Sequence, residues 1–271
     1  MPDPVLTQEP LLRLAAFAGV LLVMMLWEVL APRRSRRYPR RRSWPANLLL
    51  VAINTLLLRL LFPLAAVGGA LLAEQRGWGL FQLWPLPLWL SLPLSLLVLD
   101  FLIYLQHRLF HALPWLWRLH RMHHSDPDID VTTGLRFHPL EILLSMGIKL
   151  GIVILLGAPP LAVLLFEVLL NATSMFNHGN VRLPPRLDAG LRLLLVTPDM
   201  HRVHHSVIPR ETNSNFGFNL PWWDRLLGTY RAQPEAGHRR MTIGLNDFQD
   251  PAELRLGRLL TQPWRRHKEP K

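Results

Sequence analysis

The chain has 271 residues, half of them hydrophobic, and a formal net charge of +11. It contains no cysteine, which excludes disulfides, thiolate metal sites and iron–sulfur clusters and leaves its 12 histidines as the main metal-ligand resource. A soluble core of this size does not need so large an apolar fraction, which points to a membrane protein.

Residues 11–31 are almost wholly apolar, as are 47–73, interrupted by Arg59 and Pro63, and 87–105. About 20 apolar residues span a hydrocarbon layer of roughly 30 Å, so these three segments read as crossings. The first has no small-residue cleavage site before the arginines that follow, and is read as retained rather than as a signal peptide. Segments 140–157 and 161–176 are shorter and joined by Gly157-Ala158-Pro159-Pro160, a hairpin that either crosses and returns or dips in and turns. The basic block RRSRRYPRRRS (33–43) sits between two spans, whereas the loop 74–86 on the other side carries only Arg76. Positive residues mark the cytoplasmic side, so the block is read as an orientation signal and a contact for anionic lipid headgroups rather than for nucleic acid. The expected fold is all-α: a polytopic membrane protein with about four to five membrane-embedded helices and a cytoplasmic helical cap. The expected organisation is N-terminal helices with the basic loop (1–86), a catalytic region (87–265) and a polar tail (266–271).

Three histidine clusters lie at what this topology makes one membrane face: HRLFH (His107, His111), HRMHH (His120, His123, His124) and HRVHH (His201, His204, His205). Spacings of three and four put the rings of each cluster on one helical face. Thr197-Pro198-Asp199 is a helix start, with a capping hydroxyl, a proline at the first helical position and an acid at the positive end of the dipole. Pro114 separates the first two clusters, and Ser125-Asp126-Pro127 ends the second.

Upstream, Asp100, Tyr104, His107 and His111 fall at offsets 0, 4, 7 and 11, one continuous helical stripe. Glu167, Asn171, Ser174 and His178 repeat those offsets. Ligating histidines usually give their other ring N–H to a carboxylate or carbonyl, which makes Asp100, Tyr104, Glu167 and Asn171 candidates for that supporting layer. The alternative for the two acids is a buried pairing with Arg59 or Lys149. His138, just before Pro139, is either a ligand or the cap of the helix that follows. Trp115, Trp117, Trp222 and Trp223 read as interfacial anchors, and His238 and His267 receive no role. Eight to ten histidines exceed what one metal uses, so two metals are implied. Imidazole alone does not choose among zinc, copper, iron and nickel.

The three boxes, Asp100-x-x-x-Tyr104, the RFHPLE segment (136–141), Asn177-His178-Gly179-Asn180, Asn215-Phe216-Gly217 and Trp223-Asp224-Arg225-Leu226-Leu227-Gly228-Thr229 together resemble the fatty acid hydroxylase and sterol desaturase superfamily over residues 90–265. The resemblance implies an integral-membrane, non-haem enzyme with two iron ions, with zinc possible in their place on isolation. It also implies O2 as co-substrate, a lipid or sterol substrate hydroxylated or desaturated at an aliphatic carbon, and electrons from an external ferredoxin, flavoprotein or b-type cytochrome. It assigns as ligands His107, His111, His120, His123, His124, His201, His204 and His205, with His178 a ninth. Some members carry another histidine where this chain has Ser174, which leaves His138, Asn171 acting through water, or an open position to complete the second metal site. The rival readings are an acyl-lipid desaturase and a membrane metal transporter or metal-binding protein. Transporters bind ions near the midplane, against the one-face arrangement here. The basic loop fits a bacterial inner membrane, with the endoplasmic reticulum as the alternative.

Overall fold

The computed structural model describes residues 4–265; the whole of the expected polar tail (266–271), with His267, lies outside the described residues. Within them the chain is helical, with isolated bridges at Pro32–Val181 and Ser206–Ile243 and no strands. Five stretches are long and apolar enough to cross a membrane: Glu9–Leu30, Trp44–Leu83, Leu88–Ala112, Pro139–Leu156 and Pro160–Asn177. The helices used below are α1 (Glu9–Leu30), α2 (Trp44–Leu61), α3 (Ala65–Arg76), α4 (Leu88–Ala112), α5 (Pro114–His124), α6 (Pro139–Leu156), α7 (Pro160–Asn177) and α8 (Pro198–His204). A proline at the first or second position starts α2, α5, α6, α7 and α8, where its missing N–H costs nothing and its fixed φ favours the helix.

The second crossing is bent. Pro63 cannot donate to the preceding turn, so the helix ends at Leu61 and resumes at Ala65. The two pieces nevertheless run in one direction along α6. Asn54 donates to the Phe137 carbonyl just before α6 begins, Gly69 lies against Leu150 in its middle, and Gly79 lies against Gly157 at its end. Gly157 closes α6 with φ 65°, and a Cβ on Gly79 would lie 2.2 Å from its backbone nitrogen, so the two turns meet without side chains between them. Helices α6 and α7 have 18 residues each, about 27 Å of rise, and form a hairpin of two full helices.

Packing between α3, α4, α6 and α7 uses Ala66, Ala70, Leu99, Val153, Val163 and Phe166, all buried. Small alanines let helix backbones approach closely, which is how helices associate where lipid removes the hydrophobic driving force. The outward faces are apolar, with Leu22, Leu26, Leu56 and Leu155 each more than half exposed. An apolar surface of that extent requires lipid around it.

Helix α1 runs beside α7 toward the same end. Arg13 pairs with Glu167 at 2.6 Å, and the Arg33 N–H donates to the Asn180 carbonyl at 3.0 Å. The basic loop after α1 is less free than a lipid-contacting tail would be. Arg33 Nε donates to both Asp199 oxygens at 2.9 and 3.0 Å, Arg34 Nη2 to the Met241 carbonyl at 3.0 Å, and Arg36 pairs with Asp130. The Arg37 and Tyr38 N–H groups donate to Asp128 at 2.7 and 2.6 Å. Arg41 and Arg42 stay exposed. The loop thus clamps a cap made of 125–138 and 178–265 over one end of the bundle, and every histidine cluster lies at that end.

Candidate metal centre

His107 and His111 project from the last two turns of α4, His120, His123 and His124 from the last turns of α5, and His201, His204 and His205 from α8 and its C-cap. Thr197 accepts the Met200 N–H at 3.4 Å, so α8 starts where its capping residues indicate. His178 follows α7 directly. The nine rings form two groups whose nitrogens lie within 4.8 Å of one another: His107, His111, His120, His124 and His204, and His123, His178, His201 and His205. His124 and His205, one from each group, stack at 4.5 Å, so the groups stand side by side. All nine rings are buried except His111, which is partly exposed.

The outer nitrogens decide how the inner ones point. Nδ1 of His107 faces the Phe216 carbonyl at 2.8 Å, that of His204 the Ser214 carbonyl at 2.7 Å, that of His178 the Ser174 carbonyl at 2.7 Å and that of His123 the Arg136 carbonyl at 3.3 Å. His120 Nδ1 faces the Glu141 carboxylate at 2.7 Å and His111 Nδ1 the Asn213 amide oxygen at 3.2 Å. Such oxygens only accept, so each Nδ1 carries the hydrogen and each Nε2 presents a lone pair inward. Burial holds the pKa values of His124, His201, His204 and His205 well below the imidazole range, and the crowding of other histidines adds to this. His123 shifts the same way, and His178 falls to about 3, again chiefly by burial.

Neutral rings of this tautomer place lone pairs against each other: His123 Nε2 and His178 Nε2 are 3.0 Å apart with no hydrogen between them. His107 and His120 meet the same way at 3.1 Å, and the Nε2 atoms of His111 and His124 and of His178 and His201 lie 3.1 and 3.0 Å apart. The inner nitrogens of His204 and His205 have no hydrogen-bond partner at all. Metal–imidazole bonds of about 2.1 Å at right angles put neighbouring nitrogens about 3.0 Å apart. The residues present therefore fit two metal ions, one per group.

The other expected site residues lie at varied distances from this centre. Asp100 accepts from Asn219 Nδ2 at 2.8 Å, Trp223 Nε1 at 2.8 Å and the Asn219 and Leu220 N–H groups at 3.3 Å, and touches no ligand. Tyr104 shares a 2.9 Å hydrogen bond with Thr229, which donates to Asp224 at 2.7 Å. Asp224 in turn accepts the Phe216 and Gly217 N–H groups at 2.8 Å. Asp100 and Tyr104 thus secure the 215–229 loop, whose Phe216 carbonyl holds His107. Burial raises the Asp224 pKa despite these donors.

Glu167 is not brought to the centre: it is buried between Arg13 and Lys149, and Asn171 donates only to the Glu167 carbonyl, one turn back on its own helix. A carboxylate this deep finds its countercharge in the nearest cations, and Arg13 and Lys149 are closer than any ring. His138 also lies outside both groups. Its Nδ1 accepts the Leu140 N–H at 3.2 Å, capping α6, and its Nε2 faces the Leu260 carbonyl at 3.1 Å. Ser174, at the position of the extra histidine, donates to the Gly134 carbonyl at 2.7 Å. Gly134 is required there, because a Cβ would come within 2.5 Å of the Ser174 carbonyl that holds His178.

Other functional contacts had weak sequence signals. Glu141 lies in the RFHPLE segment without any spacing that ties it to His120. Glu28, inside the first span, accepts the Val131 and Asn180 N–H groups at 2.7 and 2.9 Å and so joins both cap segments. Trp117 and Trp223 are not simple interfacial anchors. Trp117 packs on His111 at 4.8 Å and His124 at 5.3 Å, and Trp223 serves Asp100. His238, given no role by its sequence context, is buried 3.7 Å from Asp199, and burial lowers its pKa to about 4.

The family model for fatty acid hydroxylases matches residues 92–229, just over half of the chain and the stretch that carries all nine rings. The chain belongs to the fatty acid hydroxylase family. It is 35% identical over 153 residues to an ornithine lipid hydroxylase of Rhizobium tropici, covering 56% of this chain and 45% of that protein. It is 29% identical over 182 residues to the human alkylglycerol monooxygenase, covering 64% and 38%. To rat cholesterol 25-hydroxylase it is 27% identical over 161 residues, covering 59% and 52%. The chain spans about half or less of the length of these relatives. No solved structure matches it.

Proposed function

We propose that this protein is an integral-membrane oxygenase that hydroxylates an aliphatic carbon of a membrane lipid. The observation that carries the reading is the set of nine clustered imidazoles, with Nε2 atoms of several pairs 3.0–3.1 Å apart, at the end of a lipid-facing bundle. The relatives' names give the substrate class: a lipid with an apolar chain or sterol body. An open apolar groove of about 450 Å³ between α1 and α7, lined by Gly19, Val23, Met24, Ala172 and Phe176, offers such a substrate a lateral approach. The concentration of arginines at the histidine end, against Arg76 alone near the turns at the other, supports a cytoplasmic site in a bacterial inner membrane.

The five-histidine and four-histidine groups would each hold one iron ion, and the bound pair supplies the activation of O2. The chain's own residues supply the rest. The carbonyls of Arg136, Ser174, Ser214 and Phe216 and the Glu141 carboxylate fix the ring tautomers, so the ligands need no reorganisation. Phe216 and Phe218 pack edge-on against the rings, and Phe218 reaches His107 of one group and His178 and His201 of the other. These phenyls keep water from the centre and offer an apolar wall to a chain. The balanced reaction is RH + O2 + 2 e⁻ + 2 H⁺ → ROH + H2O, with electrons from an external donor.

The test combines metal analysis of purified protein with lipid mass spectrometry of cells supplied with isotopically heavy O2, for the native chain and His123→Ala. The expected result is iron in the native protein, one heavy oxygen in a lipid product, and loss of both in the variant. Loss of hydrogen without added oxygen would replace hydroxylation by desaturation. Unchanged lipids with altered metal uptake would replace the enzyme by a metal carrier.

A further inference from the structure

Among the nine rings only His111 reaches the surface, and it does so beside Trp117. The Trp117 indole packs against three members of the five-histidine group, with centroids 4.8 Å from His111, 5.3 Å from His124 and 6.3 Å from His120. Trp117 is itself partly exposed. Of the other aromatic side chains against the rings, Phe110, Phe216 and Phe218 are buried. Phe137 is partly exposed, but its carbonyl is held by Asn54 of α2 and it faces the bundle. One aromatic side chain therefore links the ligand set to the cap surface.

The surroundings carry positive charge. Arg108 lies one helical turn before His111 on α4, and Arg118 follows Trp117 on α5; both are exposed. Arg121 lies one helical turn after Arg118 on α5 and donates to the Gln262 carbonyl and to the Arg265 carbonyl at 2.5 Å, and Asp247 offsets part of its charge. A positive surface over the most accessible ligand favours an acidic protein, and complementary charge raises its association rate.

We propose that Trp117 is the entry point for electrons and that Arg108 and Arg118 dock the donor, a small acidic one-electron carrier protein. This rests on the oxygenase reading above. Each turnover needs two electrons, so the carrier docks, loses one electron to the five-histidine side, leaves oxidised, and a second reduced carrier repeats the step. Trp117 is a positioning residue that shortens the path between donor and ligands and is not itself consumed.

The experiment uses the protein loaded with iron in the ferric state, in nanodiscs, as the electron acceptor and a pre-reduced acidic [2Fe–2S] ferredoxin, without O2, and follows ferredoxin oxidation by absorbance. Trp117→Leu is expected to keep its iron and its ferredoxin affinity but to slow oxidation of bound ferredoxin by an order of magnitude, with Trp117→Phe intermediate. Arg108→Glu with Arg118→Glu is expected to weaken ferredoxin binding roughly tenfold at low salt and to flatten its salt dependence. The small reductant dithionite reaches partly exposed His111 directly, so at high salt, where charge is screened, its rate should be the same in all variants. Ferredoxin oxidation unchanged in Trp117→Leu, equal slowing with dithionite, or a charge-reversed variant that loses anionic vesicles but not ferredoxin would each overturn the proposal. Hydroxylated lipid made with dithionite and O2 would keep the oxygenase reading even then, whereas its absence would sink that reading instead.

Discussion

Two polar stripes of identical spacing run along two membrane helices and do different things. On α4, Asp100 and Tyr104 face the 215–229 loop and tie it down: Asp100 accepts from Asn219, Leu220 and Trp223, and Tyr104 donates to Thr229. On α7, Glu167 and Asn171 face α1 and α6, and the acid ends in an ion cluster with Arg13 and Lys149. Spacing determines which residues share a face; the neighbour on that face determines their role. The α4 stripe meets a cap segment whose Phe216 carbonyl holds His107, and the α7 stripe meets only other spans until it reaches Ser174 and His178.

That contrast can be broken by mutation. The largest effect is expected for Glu167→Gln, which leaves Lys149 without its countercharge in the bilayer and Arg13 with Glu9 alone. Stability should fall by about 3–5 kcal/mol, read as midpoint shifts in detergent unfolding, while iron per folded molecule stays constant. Replacing Arg13, Lys149 and Glu167 together by apolar residues should restore most of the loss. Asp100→Asn turns one acceptor into a donor facing donors. Unfolding should become easier by about 1–3 kcal/mol, and, unlike the α7 variant, iron content and product should fall as the 215–229 loop loosens. Tyr104→Phe removes one hydrogen bond to Thr229 and should cost about 1 kcal/mol with a smaller drop in iron retention. Asn171→Ala removes a bond within its own helix, and a change of about 0.5 kcal/mol or less is expected. An iron loss in Asn171→Ala as large as in Asp100→Asn would erase the distinction between the stripes.

Much of this was legible in the sequence because it is local. Apolar length gave the spans, prolines and Thr197 gave the helix starts, and spacings of three and four gave the faces that bear the rings. What stayed hidden depends on backbone or on distant neighbours. Carbonyls of Phe216, Ser214, Ser174 and Arg136 orient four rings, and a carbonyl has no side-chain identity to read. Glu28 looks like an acid at the polar edge of a span, and only the fold shows that it receives N–H groups from residues 103 and 152 positions away. The division of the rings into five and four likewise cuts across the boxes: His123 and His124 are adjacent in sequence and belong to different groups.

The clamp formed by the arginine loop also bears on the order in which the molecule is assembled. Arg33 and Arg34 leave the ribosome long before the groups they hold, Asp199 and the Met241 carbonyl, which are 166 and 207 residues later. Closing such long loops is slow compared with forming helices. The cap therefore locks over the bundle only once Asp199 and Met241 have been synthesised, and until then the histidines of α4 and α5 remain uncovered and open to incoming metal.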